Sequence, residues 1–130
     1  MLEVEQLLEI AHNVHEALGG GLSESIYHAA MTIALRNAGR LVECEVVVPV
    51  YYSEMYVGFV RPDMLVDKRM VIELKAVAKI TEAHMVQLRT YMRWLPKDVV
   101  AEEGSENGSS VLGVLINFGA HGVQLQESKL

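Results

Sequence analysis

Three stretches of this chain are apolar at almost every position instead of alternating between apolar and polar residues. They are 64–66, 70–72 and 111–118, and the first two flank a charged turn at 67–69. A strand with apolar side chains on both faces must be covered on both faces. The sequence therefore predicts a sheet enclosed between two layers.

Segments with the helical spacing of apolar residues could supply those layers. The first pattern covers 7–18, the second lies between an N-cap at Ser23 and a stop at Gly39, and the third covers 82–95 before Pro96. Each is long enough for three or more helical turns. We therefore predict three helices.

The other apolar segments are rich in β-branched and aromatic residues, as strands are. Segments 46–52 and 55–60 flank a short polar turn and predict a β-hairpin, and 64–66 with 70–72 predict another. Residues 122–125 predict a short edge strand before a frayed tail. The predicted order is α-α-β-β-β-β-α-β-β, an α/β (mixed α+β) arrangement.

Length and composition indicate one soluble domain over residues 1–130. Of the 130 residues, 51% are hydrophobic and 22% charged, which excludes a disordered chain, and no apolar run reaches the ~20 residues of a membrane span. The acidic N-terminus is unlike a secretory leader, and one cysteine, Cys44, permits no internal disulfide. We expect a cytoplasmic protein, with Cys44 as a buried strand residue and 98–110 as a mobile acidic loop.

The charge is unevenly distributed along the chain. The net charge is -6, but the segment 61–97 has eight Lys or Arg and four Asp or Glu, a balance of 8 - 4 = +4. A basic segment of this kind favours a polyanionic partner, and solvated helix faces without a ligand give the same pattern. Nucleic acid is therefore compatible with the acidic total, although the charge alone does not require it.

Two carboxylates and a lysine could carry chemistry. Asp63 and Glu73 lie on neighbouring predicted strands, and Lys75 follows Glu73 by two residues, so Glu73 and Lys75 face the same side of the sheet. Charges at the end of so apolar a strand are costly unless they are paired or bind a metal. Converging acids suit Mg²⁺, with Lys75 orienting a water; the alternative is an exposed Glu73–Lys75 pair.

The third helix and the start of the second carry further candidates. His84, Gln87 and Tyr91 share one face of the third helix, opposite its apolar stripe. That polar stripe is either solvated surface or a wall of the proposed metal site. Glu24 lies in the first turn of the second helix, where the helix dipole alone favours an acid; its functional interpretation is a third metal-binding carboxylate.

These residues occur in an ordered set of motifs, which are Gly21-Leu22-Ser23-Glu24-Ser25-Ile26-Tyr27, Arg61-Pro62-Asp63, Glu73-Leu74-Lys75, Gln87-Leu88-Arg89-Thr90-Tyr91 and Ile116-Asn117-Phe118-Gly119. The set resembles the GxxExxY proteins, a RecB-like branch of the PD-(D/E)XK nuclease superfamily, over nearly the whole chain. The resemblance implies a restriction-endonuclease-like core, a central mixed sheet flanked by helices. Relatives usually lack the long acidic loop.

The resemblance also implies roles for individual residues. Glu24, Asp63 and Glu73 would be metal-site acids and Lys75 the catalytic lysine. The residues implied to bind substrate or support the site are Gln87, Tyr91, His84, Arg61 and Tyr27.

Two functional hypotheses follow from these residues. The first is a nuclease that uses Mg²⁺, or Mn²⁺ in its place, to hydrolyse phosphodiester bonds of DNA or RNA, with DNA the favoured partner. The alternative is a non-catalytic nuclease-fold module that binds protein partners through the acidic loop. A homodimer is a further expectation, because cutting both strands of a duplex needs two sites.

Overall fold

The structure is a computed structural model that describes residues 2–95 and 112–129 of the chain. Its helices are α1 (Val4–Leu18), α2 (Glu24–Asn37) and α3 (Glu82–Trp94). Its strands are β1 (Val42–Cys44), β2 (Val48–Tyr52), β3 (Met55–Val60), β4 (Met64–Val66), β5 (Met70–Lys75), β6 (Leu112–Phe118) and β7 (Val123–Lys129). The predicted acidic loop at 98–110, Pro96 and position 111 lie outside the described residues.

Five strands form one mixed sheet in the order β1-β4-β5-β6-β7. All neighbouring pairs are antiparallel except β5 and β6, which run parallel. The central strand β5 is therefore hydrogen-bonded to an antiparallel strand on one side and a parallel strand on the other. This arrangement places the carboxyl ends of β5 and β6 together at one edge of the sheet.

Helices cover both faces of this sheet, as its continuously apolar strands predict. Met70, Ile72 and Leu74 face the layer that contains α1 and α2, whereas Val71 faces α3. The alternation of side chains along a strand then puts Glu73 and Lys75 on the α3 side. The predicted mixed α/β fold with a central sheet flanked by helices is confirmed.

The strands differ from the prediction in three respects. The short strand β1 was not predicted as a separate element, although Cys44 within it was expected in a strand, because three residues are too few for a readable period; it pairs with β4 as an edge strand. The hairpin β2-β3 is a separate two-stranded sheet that packs on α3 through Val48 and Val60. The last strand, β7, is seven residues long and pairs with β6 along its whole length, so the predicted short strand and frayed tail are wrong.

The environment predicted for Cys44 is also wrong. The residue is exposed at the end of the edge strand β1, although its Sγ lies 3.5 Å from the Thr32 hydroxyl of α2. The predicted strand position is correct.

The connection from α1 to α2 depends on its glycines. Gly21 has a φ of +88°, a conformation that costs little only without a side chain. A Cβ atom at Gly20 would collide with the backbone carbonyl of Ala120, so the two chain segments approach as closely as only glycine permits. This close approach fixes where α2 begins, and with it the position of Glu24.

Candidate active site

Asp63 and Glu73 are brought together by the antiparallel pairing of β4 with β5. Met64 pairs with Ile72, so Asp63, one residue before β4, lies opposite Glu73. The backbone N–H of Asp63 donates to Glu73 Oε1 at 2.7 Å, and the N–H of Leu74 donates to Asp63 Oδ2 at 2.8 Å. These two backbone bonds fix one oxygen of each carboxylate. No described residue donates a hydrogen bond to the other oxygen, so both acids keep an oxygen for a ligand.

Glu73 is buried and lies beside the partly buried carboxylate of Asp63, so the two negative charges would repel each other. The Glu73 residue is 3% exposed. The pKa of Glu73 is raised from 4.5 to about 8, chiefly by burial and next by the charge of Asp63, while the hydrogen bond from the Asp63 N–H and the charge of Lys75 lower it in part. Without a cation, Glu73 is therefore mostly protonated at neutral pH. A divalent cation between these acids would favour the ionised form.

Glu24 reaches the same site from the first turn of α2. Partial burial is the largest cause of its raised pKa; the ammonium of Lys75 lowers that pKa and the carboxylate of Asp63 raises it. A cleft of about 350 Å³ beside these groups is lined by Glu24, Ser25, His28, Glu45 and Asp63. Glu24 and Asp63 thus share one open cleft.

Lys75 is connected to the predicted polar face of α3. Its Nζ donates to Gln87 Oε1 at 3.2 Å, and Gln87 Nε2 donates to the hydroxyl of Tyr91 at 2.8 Å. Burial raises the pKa of Tyr91, and the charge of Glu73 raises it further. Gln87 and Tyr91, which the Gln-x-x-x-Tyr spacing places on one face of α3, therefore form a chain of hydrogen bonds that begins at Lys75.

His84 helps to begin α3. Its Nδ1 accepts a hydrogen bond from the N–H of Thr81 at 3.0 Å, and the Thr81 hydroxyl accepts from the N–H of His84 at 3.4 Å. This is a capping box with histidine in the third position. His84 also lowers the pKa of Glu24, so its ring lies near enough to affect the site electrostatically.

Tyr27 is a buried residue of α2 that bonds to the loop leading into this helix. The residue is fully buried, and its ring stacks on Phe118 with centroids 4.5 Å apart. Its hydroxyl donates to the carbonyl of Gly19 at 2.6 Å and accepts from the N–H of Leu22 at 3.3 Å. Tyr27 therefore holds the loop that leads into α2 and Glu24, and its buried ring has no path to a substrate.

A protein-family model of the PD-(D/E)XK nuclease superfamily matches residues 2–129. The chain belongs to this superfamily. The crystal structure of SSO0001 is similar, with a TM-score of 0.58 and 18% identity over 81% of this chain and 48% of that one. The present chain thus spans about half the length of SSO0001, and at this identity the similarity shows the fold alone. The search of curated proteins finds no match.

The resemblance drawn from the motifs is confirmed at the level of the PD-(D/E)XK superfamily, whereas the GxxExxY and RecB-like branch stays a prediction. In the part of the chain that the structure describes, no helix combines the length and apolarity needed to cross a bilayer. The cytoplasmic location also stays a prediction.

Two residues that sequence analysis gave no role belong to this nuclease-fold site. His28 Nε2 donates to the backbone carbonyl of Asp63 at 3.2 Å, and its spacing of four residues from Glu24 was the signal that could have revealed it. Asn117 is fully buried and bonds to both the N–H and the carbonyl of Val77 at 2.9 Å. Asn117 thereby fixes the chain just beyond Lys75.

The acids of this PD-(D/E)XK site form a linked pair with a third acid nearby. Among residues 2–95 and 112–129, no three His, Cys, Asp or Glu side chains are grouped so that they could hold an ion together. Mg²⁺ is commonly bound by one or two carboxylates with waters completing its shell. The oxygens that Asp63 and Glu73 leave without a hydrogen bond fit that requirement.

Arg61 lies apart from this network. Its guanidinium carbon is 5.8 Å from the centroid of the Phe59 ring, at the end of the β2-β3 hairpin. No carboxylate among the described residues forms an ion pair with it. Arg61 is therefore a cation without a carboxylate partner among the described residues, two positions before Asp63 in the chain.

Proposed function

We propose that this chain is a metal-dependent nuclease that hydrolyses phosphodiester bonds of DNA or RNA. The observation that carries the proposal is the pair of backbone hydrogen bonds that hold the two carboxylates, from the Asp63 N–H to Glu73 and from the Leu74 N–H to Asp63, with Lys75 on the same strand face as Glu73. Membership of the PD-(D/E)XK nuclease superfamily supports it. We further propose that the chain belongs to the GxxExxY, RecB-like branch, on the motifs described above.

Asp63 and Glu73 would hold Mg²⁺, or Mn²⁺ in its place, and Glu24, across the cleft, would contact the ion through a bound water, because no three such side chains of the described residues are grouped to bind one ion. When bound, such an ion polarises a phosphoryl oxygen and lowers the pKa of bound water. The backbone bonds to Asp63 and Glu73 orient these carboxylates before a ligand arrives, which reduces the cost of organising the site.

Lys75 would act on the reacting groups directly. Its ammonium donates to Gln87, which keeps the long side chain extended towards α3 and beside the acids. From there it can orient the attacking water and stabilise the negative charge that develops on the phosphate. Gln87 and Tyr91 would then be positioning residues for Lys75.

The proposal is tested by incubating purified protein with single- and double-stranded DNA and RNA in the presence of Mg²⁺ or Mn²⁺. Cleavage is expected for the wild type and for Ile33→Ala, an exposed position on α2, and is expected to be lost in Asp63→Ala and Lys75→Ala. The proposal is wrong if the wild type cleaves no substrate faster than Lys75→Ala.

A binding or assembly module remains the alternative from sequence, but the acidic loop on which it depends lies outside the described residues. Metal titration by calorimetry tests whether the acids still form a metal centre, because Asp63→Asn should abolish a site that the acids form. The homodimer also stays a prediction, to be tested by sedimentation at several protein concentrations.

A further inference from the structure

The β2-β3 hairpin, which leads into the chain segment of Asp63, exposes an aromatic face. Tyr51, Tyr56 and Phe59 are 50%, 60% and 52% exposed, although aromatic side chains of this size are usually covered. The hairpin continues into the chain that carries Asp63, since β3 ends at Val60. An exposed aromatic surface therefore begins a few residues from a proposed catalytic acid.

The strand register puts these rings on one face. Tyr51 pairs with Tyr56 and Pro49 with Phe59, and directly paired residues share a face of an antiparallel ladder. Val48 and Val60 form the next pair and point to the opposite face, where they pack against α3. The outer face therefore carries the three rings, while Val48 and Val60 anchor the base of the opposite face, which is exposed near the turn at Tyr52 and Met55.

A β-bulge contributes to this arrangement. The register shifts between Val50 and Tyr51, so that Val57 has no partner and Tyr56 comes to lie opposite Tyr51. The two rings meet edge to face with centroids 6.1 Å apart. A ring contact of this geometry holds the side chains in place and leaves ring surface open to solvent.

Arg61 extends the aromatic row towards the acids. It follows Phe59 by two residues, hence on the same side of the strand, and its guanidinium lies over the Phe59 ring. Arg61 has no ion-pair partner among the described residues, and it stands at the end of the row that is nearest Asp63 along the chain. A cation of this kind beside exposed rings suits a polyanion that has exposed rings of its own.

We propose that this outer hairpin face, Tyr51, Tyr56 and Phe59 with Arg61, binds single-stranded nucleic acid by stacking its unpaired bases and directs it to the Asp63–Glu73 site. The inference rests on the proposed nuclease function and specifies its substrate as single-stranded. Aromatic side chains stack on bases of any sequence, and arginine adds charge and cation–π contacts. The bases of a duplex are stacked on one another and have no free faces to offer, so the hairpin discriminates against duplex.

The test measures binding separately from cleavage, in metal-free buffer that contains a chelator. Anisotropy is recorded for a labelled oligodeoxythymidylate and for a duplex of equal length. Phe59→Leu and Tyr56→Leu keep an apolar side chain but remove the aromatic ring, and each should weaken single-strand binding about 5- to 150-fold, as expected for one stacked base. Duplex binding should change little, and Ile33→Ala should bind as the wild type does.

A rescue variant provides a second measurement. Phe59→Trp keeps a stacking surface, so it should retain single-strand binding. Oligodeoxythymidylate should also quench its added indole fluorescence, measured against the background of the native Trp94. Unchanged thermal unfolding of all variants shows that the exposed substitutions leave the fold intact.

The proposal is overturned if both leucine variants bind the single strand like the wild type, if they lose duplex binding equally, or if the indole of Phe59→Trp is not quenched. Sedimentation that shows a wild-type dimer and a Phe59→Leu monomer also overturns it, because the face then belongs to a second copy. Intact, ring-dependent binding without any cleavage would instead contradict only the proposed nuclease function.

Discussion

Replacing Glu73 by glutamine should stabilise the protein at alkaline pH and have little effect in acid. The pKa of Glu73 is raised from 4.5 to about 8, chiefly by burial and next by the charge of Asp63. The folded state therefore binds more protons than the unfolded chain between these values, and the free energy of unfolding falls as the pH rises through this window. Below pH 4.5 the Glu73 carboxyl is protonated in both the folded and the unfolded chain, so it lowers the free energy of unfolding very little there.

The size of the effect follows from the width of the window. One pH unit corresponds to about 1.4 kcal/mol, so the loss approaches about 5 kcal/mol above pH 8. Glutamine has the same shape, stays neutral, and its Oε1 can still accept from the Asp63 N–H. Glu73→Gln should therefore exceed the wild type in stability by about 4 kcal/mol near pH 8 and by less than about 1 kcal/mol at pH 4.5.

Urea unfolding followed by circular dichroism, in chelator at several pH values from 4.5 to 8.5, measures this difference. Glu9→Gln, at an exposed position of α1, is the matched control and should follow the wild type throughout. Adding Mg²⁺ at pH 8 should stabilise the wild type more than Glu73→Gln if the acids hold the ion. A stability difference between Glu73→Gln and wild type that is constant across the pH range would refute the reasoning.

Two further substitutions test the hydrogen bonds around the site. Gln87→Leu removes the group that accepts a hydrogen bond from Lys75, and such a bond to a charged group is worth about 1.5–3 kcal/mol. In steady-state cleavage assays, kcat should therefore fall about 10- to 150-fold with KM little changed. An unaltered kcat would mean that Lys75 needs no positioning. Tyr27→Phe leaves the two backbone groups that the hydroxyl contacts without that partner and should lower the free energy of unfolding by about 1–3 kcal/mol in urea titrations. The exposed Tyr52→Phe is its control, and equal stability of the two variants would contradict the supporting role.

Local patterns in the sequence were sufficient for most elements of the fold. Helical spacing identified α1, α2 and α3, and the continuously apolar β5 required a layer on each face of the sheet. The same local rule placed Glu73 and Lys75 on one face of β5, and Gln87 and Tyr91 on one face of α3. Periodicity succeeds here because the direction of a side chain is set by the backbone of its own helix or strand.

Long-range pairing was not readable from local patterns. The hairpin β2-β3 has ordinary strand character, yet its attachment to α3 rather than to the main sheet depends on where Val48 and Val60 find apolar partners. The length of β7 depends on β6, because the alternating polar residues of β7 form a strand only where they pair with β6. Tyr27 was placed in a motif, but only packing showed that its ring lies beneath the loop.

The sequence by itself determined which residue types are present for the chemistry and which of them share an element: two acids, a lysine, and a helix with glutamine and tyrosine one turn apart. Only the tertiary structure decided that the backbone of Asp63 bonds to the carboxylate of Glu73, that Lys75 bonds to Gln87, and that three exposed aromatic rings share one face of the β2-β3 hairpin. The reason is that a side chain's direction is a property of its own element, whereas a distance between elements results from strand register and core packing, to which the whole chain contributes.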